Sequence, residues 1–174
     1  MRFKNLLLSF LIVIGISQSS YATTILYDVN NLGGGTWEYE YIVTNDTLIS
    51  DIEEFTIYFA YGLYDNLNVT TPLPDWDELT VNPQLILGIP EDGFYDALAL
   101  VSGITPGDTA SGFSVSFDWL GSGIPGAQYF EVVNPVTFDV IDSGNTKPVP
   151  EPGTLMLLGT GLAGFAAFRW KVRR

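Results

Sequence analysis

The middle of this 174-residue chain predicts an all-β fold, an immunoglobulin-like two-sheet β-sandwich with a jelly roll as the alternative. Three observations carry that expectation. Apolar and aromatic residues alternate with polar ones at period two in several short runs. Clusters of glycine and proline punctuate those runs at short intervals. No stretch between residues 23 and 150 shows a 3.6-residue apolar period, and only residues 75–79 allow a single helical turn.

In chain order, the first segment is a leader. Arg2 and Lys4 precede an apolar run over residues 6–16, and Ser20-Tyr21-Ala22 is a small-x-small cleavage site. This pattern predicts a signal peptide over residues 1–22, handled by the Sec translocon and cut by signal peptidase after Ala22. The apolar run has eleven residues, too few to cross a hydrocarbon core about 30 Å thick.

Strands are expected at 25–29, 36–44, 54–61, 84–87, 94–100, 112–119, 128–133 and 136–141, where β-branched and aromatic residues concentrate. Gly33-Gly34-Gly35, Pro72-Leu73-Pro74, Pro90-Glu91-Asp92-Gly93, Pro106-Gly107-Asp108, Gly121-Ser122-Gly123 and Pro125-Gly126 separate them. Alternation assigns faces. Trp37, Tyr39, Tyr41 and Val43 share one side, opposite Glu38 and Glu40. Phe55, Ile57, Phe59 and Tyr61 form a second such row, and Phe113, Val115, Phe117 and Trp119 a third. Three aromatic rows are enough to fill the space between two sheets packed about 10 Å apart. The domain is expected over residues 23–143, a linker over 144–149, and a C-terminal signal over 150–174.

Charge excludes one class of partner. Residues 23–150 hold 19 of the 20 acids, and Lys147 is their only base, so 19 minus 1 gives a formal charge of −18. Nucleic acid is not a partner for such a surface, because phosphate binding needs Lys and Arg. The same residues form a solvated acidic exterior that keeps copies apart.

Composition also narrows catalysis. The chain has no His and no Cys, which removes Ser-His-Asp and Cys-His nucleophiles and the common zinc ligand sets. Carboxylates are the remaining acid–base stock, and a glycosidase needs two of them roughly 5–9.5 Å apart. Asp75, Asp77 and Glu78, or Asp51, Glu53 and Glu54, supply neighbours of that kind, although 19 acids produce such neighbours by chance. The expectation is a protein without enzymatic activity and without a cofactor.

Two binding readings remain. A carbohydrate contact needs an exposed ring flanked by hydrogen-bonding groups, and Trp76 between Asp75 and Asp77 has that composition. The Trp37-Tyr39-Tyr41 row is the other aromatic platform, though its acidic opposite face argues that it packs inward. Calcium takes six to eight oxygen ligands, and Asp75, Asp77 and Glu78 are the acids to consider, with no calcium-loop pattern around them. Asn45-Asp46-Thr47 and Asn68-Val69-Thr70 spell glycosylation sequons with no further support.

The C-terminus is the most specific part of the chain. Val149-Pro150-Glu151-Pro152 leads into an uncharged stretch over 153–168, and Arg169-Trp170-Lys171-Val172-Arg173-Arg174 closes it. A helix over those 16 residues is roughly 24 Å long at 1.5 Å per residue, short for a permanent span. The basic end stays on the cytoplasmic side by the positive-inside bias. Gly159-Thr160-Gly161-Leu162-Ala163-Gly164 spells a dinucleotide fingerprint, but neither a preceding strand nor a βαβ unit accompanies it.

These residues resemble the PEP-CTERM sorting tail of bacterial exported proteins, over roughly residues 148–174. The resemblance implies that Pro150, Glu151 and Pro152 are read by an exosortase. It implies a membrane helix at about 153–170 and a basic stop made by Arg169, Lys171, Arg173 and Arg174. It further implies an inner-membrane intermediate, then the cell surface or extracellular matrix of a Gram-negative bacterium. The role it implies is structural or adhesive, in an exopolysaccharide-rich biofilm, with extracellular polysaccharide as a partner. Tyr41-Ile42-Val43-Thr44-Asn45 and Ile104-Thr105-Pro106-Gly107 are also similar to segments of β-sandwich proteins bearing this tail.

Overall fold

The computed structural model describes residues 23–150, all β among those residues. The strands are β1 (Thr24–Gly33), β2 (Thr36–Thr44), β3 (Glu54–Phe59), β4 (Tyr64–Val69), β5 (Trp76–Val81), β6 (Gln84–Ile86), β7 (Ile89–Glu91), β8 (Gly93–Ala99), β9 (Thr109–Trp119), β10 (Tyr129–Val133), β11 (Val140–Asn145) and β12 (Lys147–Pro148). Ser20, Ala22, Glu151, Pro152, the stretch 153–168 and the basic end lie outside the described residues.

Two five-stranded sheets form the body, with strand orders β12-β1-β2-β9-β4 and β11-β10-β3-β8-β5, and β6-β7 is a separate hairpin. The inward faces are the three predicted rows. Tyr39, Tyr41, Val43, Phe55, Ile57, Phe59, Phe113, Val115 and Phe117 are all fully buried. Tyr39 stacks on Phe117 at 4.8 Å, and Phe55 meets Phe113 edge-on at 5.0 Å, so rings from both sheets interlock. One end of each row reaches the rim of the core: Tyr61 is exposed, and Trp37 and Trp119 are half-buried against it.

The all-β class with more than one sheet is borne out, and the strand orders do not by themselves establish the immunoglobulin topology. β9 lies between β2 and β4, as E lies between B and D in ABED, while β8 and β5 extend the second sheet beyond β3. Period-two alternation fixes which face is buried, but it carries no information about which strand sits alongside. Residues 75–79 are not a helical turn; they belong mostly to β5, whose Trp76 pairs with Ala99. Residues 136–139 form a loop held by the Asn134 side chain, and β11 begins only at Val140. Gly112 does not start a strand but sits inside β9 as a bulge with φ +100° where the β2–β9 register slips.

Register also defines two ends. Thr36 lies opposite Asp118, Tyr64 opposite Trp119, and Phe59 opposite Gly93. One end therefore carries the β1–β2 turn, residues 60–63, the β6–β7 hairpin and the loop 120–128. The other carries residues 45–53, 70–75, 100–108 and 134–139. At that second end Asn45 meets residues 104–107. The buried Asn45 amide donates to the carbonyls of Ile104 at 2.8 Å and Ser50 at 2.9 Å. Gly107 N–H donates to the Asn45 carbonyl at 2.8 Å. Asn45 of the first sequon is thus a buried staple between loops.

Candidate functional site

Residues 144–149 are not a linker. β11 brings the chain along the second sheet to Asn145, and Thr146 is 2% exposed between the sheets. Thr146 N–H donates to the Gln128 carbonyl at 2.8 Å, and Gln128 N–H donates to Thr146 Oγ1 at 2.9 Å. The Thr146 hydroxyl in turn donates to Gln128 Oε1 at 2.9 Å. From this fixed point the chain crosses to the first sheet. Lys147 and Pro148 pair in parallel with Leu26 and Tyr27, and Val149 N–H donates to the Tyr27 carbonyl at 2.8 Å. A proline fits here because β12 is an edge strand with no second neighbour to serve.

Pro150 therefore follows directly on the last residue bonded to the sheet, and it is exposed. Nothing between the domain and Pro150-Glu151-Pro152 provides slack. The N-terminal side is fixed as well, with Thr23 N–H donating to Asp142 Oδ2 at 2.8 Å. Thr146 and Gln128, which hold this exit, gave no signal in the sequence, because a lone Thr and Gln among polar residues carry no pattern.

The Trp76 cluster divides. Trp76 and Glu78 point toward the core side of β5, while Asp75 and Asp77 are exposed. The Trp76 ring packs edge-on against Phe113 at 5.0 Å and, tilted, against Phe55 at 5.9 Å. It covers the core rather than presenting a flat face. Glu78 accepts from the Tyr95 hydroxyl and, at 2.6 Å, from Leu73 N–H. Both carboxylate oxygens are thereby used to close residues 71–75 over the ring. Burial, and then Glu78, push the Tyr95 hydroxyl well above the usual tyrosine range. The proposed calcium set Asp75, Asp77 and Glu78 is split by strand alternation, and no cluster of three potential metal ligands occurs among the described residues.

The other acid group divides in the same way. Asp51 and Glu53 line a cleft of about 300 Å³ with Ser50, Asn134, Pro135 and Ile141. Glu54 does not line it, but starts β3 on the outer face of the second sheet. There, burial and then the neighbouring Asp96 charge push its carboxyl up. Burial raises Asp96 too, the Thr56 hydroxyl at 2.6 Å pulls it part of the way back, and the Asp77 charge raises it again. Of the three, only Asp51 and Glu53 share a cleft.

The Trp37-Tyr39-Tyr41 row is no platform, because Tyr39 and Tyr41 are fully buried. Tyr39 donates to the Gly126 carbonyl at 2.7 Å, which ties the loop 120–128 to the core. Among the described residues no helix is long and apolar enough to cross a membrane.

Comparison with known families agrees with the C-terminal resemblance. Residues 148–174 match the PEP-CTERM protein-sorting motif. The chain thus carries the tail of exported proteins that pass through a membrane-associated sorting intermediate and are handled by an exosortase. No curated protein matches it. The motif begins at Pro148, so it overlaps the end of β12.

Proposed function

We propose that this protein is a non-enzymatic structural or adhesive component of the bacterial cell surface or extracellular matrix. It reaches that place by Sec export, retention through its C-terminal helix, and exosortase processing at Pro150-Glu151-Pro152. One observation carries the reading: the sorting motif starts on the edge strand of a closed, aromatic-filled sandwich. Cutting there would release a folded body whose core has no stake in the tail. The acidic exterior favours a hydrated, well-dispersed domain in a polymer layer.

Two further points support a role without catalysis. The aromatic rows are spent on the core, and strand alternation divides Asp75 and Asp77 from Glu78. A carbohydrate contact through Trp76, Asp75 and Asp77 would have to use the edge of a ring already packed on Phe113. Calcium, if it binds, would have to do so through exposed carboxylates of different strands.

A Glu151→Ala variant tests the sorting step in the producing cells. The expected result is a shift from the matrix fraction to the membrane fraction, with the sandwich still folded. Unchanged fractionation would remove the exosortase step. Binding of the cells' exopolysaccharide to residues 23–150, compared with a Trp76→Ala variant, tests the carbohydrate alternative; equal binding would end it.

A further inference from the structure

We propose that the end of the sandwich bearing the β6–β7 hairpin docks on the lipid headgroup surface of the membrane that holds the tail. The proposal rests on the reading that residues 153–168 enter the bilayer. It adds an interface that the sorting motif itself does not require.

Direction comes first. β12 runs parallel to β1, and the Val149–Tyr27 bond keeps the chain on that line. Pro150 therefore leaves the domain heading toward the hairpin end. Reach comes next. From Pro150 to Gly153 there are three residue steps, at most roughly 11 Å of extended chain. β1 continues past the level of Pro150, from Val29 to Gly33, for about 13 Å at 3.3 Å per residue. The β1–β2 turn projects as far as the tail can reach, which brings this end of the sandwich to the headgroups.

The chemistry of those turns suits that surface. Leu87 is 99% exposed at the tip of the hairpin, with φ +53°. With Gly88 at φ +84° it forms a two-residue turn in which both residues are left-handed. Asn-Gly is the ordinary choice there. A leucine at that position is unfavourable in backbone and in hydration, and nothing in the folded domain compensates. Ile86, Ile89, Leu63, Leu120 and Ile124 are also exposed at this end. Leu120 N–H donates to the Leu63 carbonyl at 2.9 Å, which joins two of these loops. Asp65, Glu91 and Asp92 lie among them, so the fitting surface is zwitterionic rather than anionic.

The opposite end is an internal control. Val136 is 82% and Phe138 76% exposed there, yet the exit geometry points them away from the membrane. Exposed apolar tips alone would not separate the two ends; the tail does.

The chain has no cysteine, so Leu87→Cys and Val136→Cys variants each accept one environment-sensitive fluorophore. The full chain from Thr23 onward is reconstituted into phosphatidylcholine vesicles, floated, and quenched with acrylamide. The expected result is a blue shift and a several-fold loss of quenching at position 87, with position 136 unchanged. Adding phosphatidylglycerol should weaken the protection. A floated protein with both positions equally quenched would overturn the docking and leave the tail reading intact. A protein that fails to float would remove the tail reading, and the docking with it.

Discussion

β1 has a neighbour on each side, and the two could hardly differ more. β2 pairs with it over nine residues and turns Tyr39, Tyr41 and Val43 into the core, each fully buried. β12 pairs with it at two residues, is exposed throughout, and ends on one further backbone bond from Val149. One is held by rings interlocked across the sandwich and the other by a few backbone bonds and the Thr146 anchor. The difference separates what folds the domain from what hands it to the sorting machinery. An edge strand with so little buried surface depends on the buried Thr146 anchor to stay in register, and that anchor fixes where the sorting motif leaves the domain.

The largest test of that contrast is Tyr39→Ala. It empties a ring stacked on Phe117 and Tyr41 and removes the bond to Gly126. A loss of about 3–5 kcal/mol is expected in urea unfolding. Next is Thr146→Val, which deletes the hydroxyl bonded to Gln128 N–H and Oε1. It should cost about 1–3 kcal/mol and raise amide exchange at Val149 while leaving the β2 amides protected. Equal losses from the two variants would place β12 in the folding core and break the comparison.

A smaller effect concerns pH. Burial raises Glu54 and Asp96 above their ordinary 4.5 and 3.8 in the folded state. The folded form then holds their protons more tightly than the unfolded form, so these groups lower stability as pH rises through that window. Stability should therefore increase as the pH falls from neutrality toward the raised values. Asp118 is shifted down by Asn66 and Thr36 and acts in the opposite sense at lower pH. Asp96→Asn should flatten the slope and stabilise the neutral-pH form by less than about 1 kcal/mol, because solvent screens a half-buried carboxyl. A steeper slope in the variant would contradict the assignment. The smallest expected change is Tyr41→Phe. The Tyr41 hydroxyl is buried without a hydrogen-bond partner, so melting should stay level or rise by a degree or two.

The same contrast explains what the sequence made legible. β2, β3 and β9 alternate aromatic and polar residues along their length, and all three rows were readable without coordinates. β4 and β5 were not, because both are edge strands. Tyr64-Asp65-Asn66-Leu67-Asn68-Val69 buries only Tyr64 and Leu67 and departs from alternation at Asn66, whose φ is +52°. β12 was hidden for another reason: Thr-Lys-Pro-Val-Pro has the composition of a tether, and only the distant partners Leu26 and Tyr27 make it a strand. The sorting motif was legible because it is a local pattern. The division of Asp75 and Asp77 from Glu78 followed from alternation once β5 was known to be a strand. The clamp that Tyr95 and Leu73 place on Glu78 depends on contacts that no local pattern encodes.

The most direct test of the account is the intact mass of the native protein recovered from the membrane and matrix fractions of the producing cells. A matrix species beginning at Thr23 and ending near Glu151 is the predicted result, and added mass would mark covalent attachment to surface polymer. A protein confined to membranes, with its C-terminus intact to Arg174, would contradict processing and reduce the tail to an anchor.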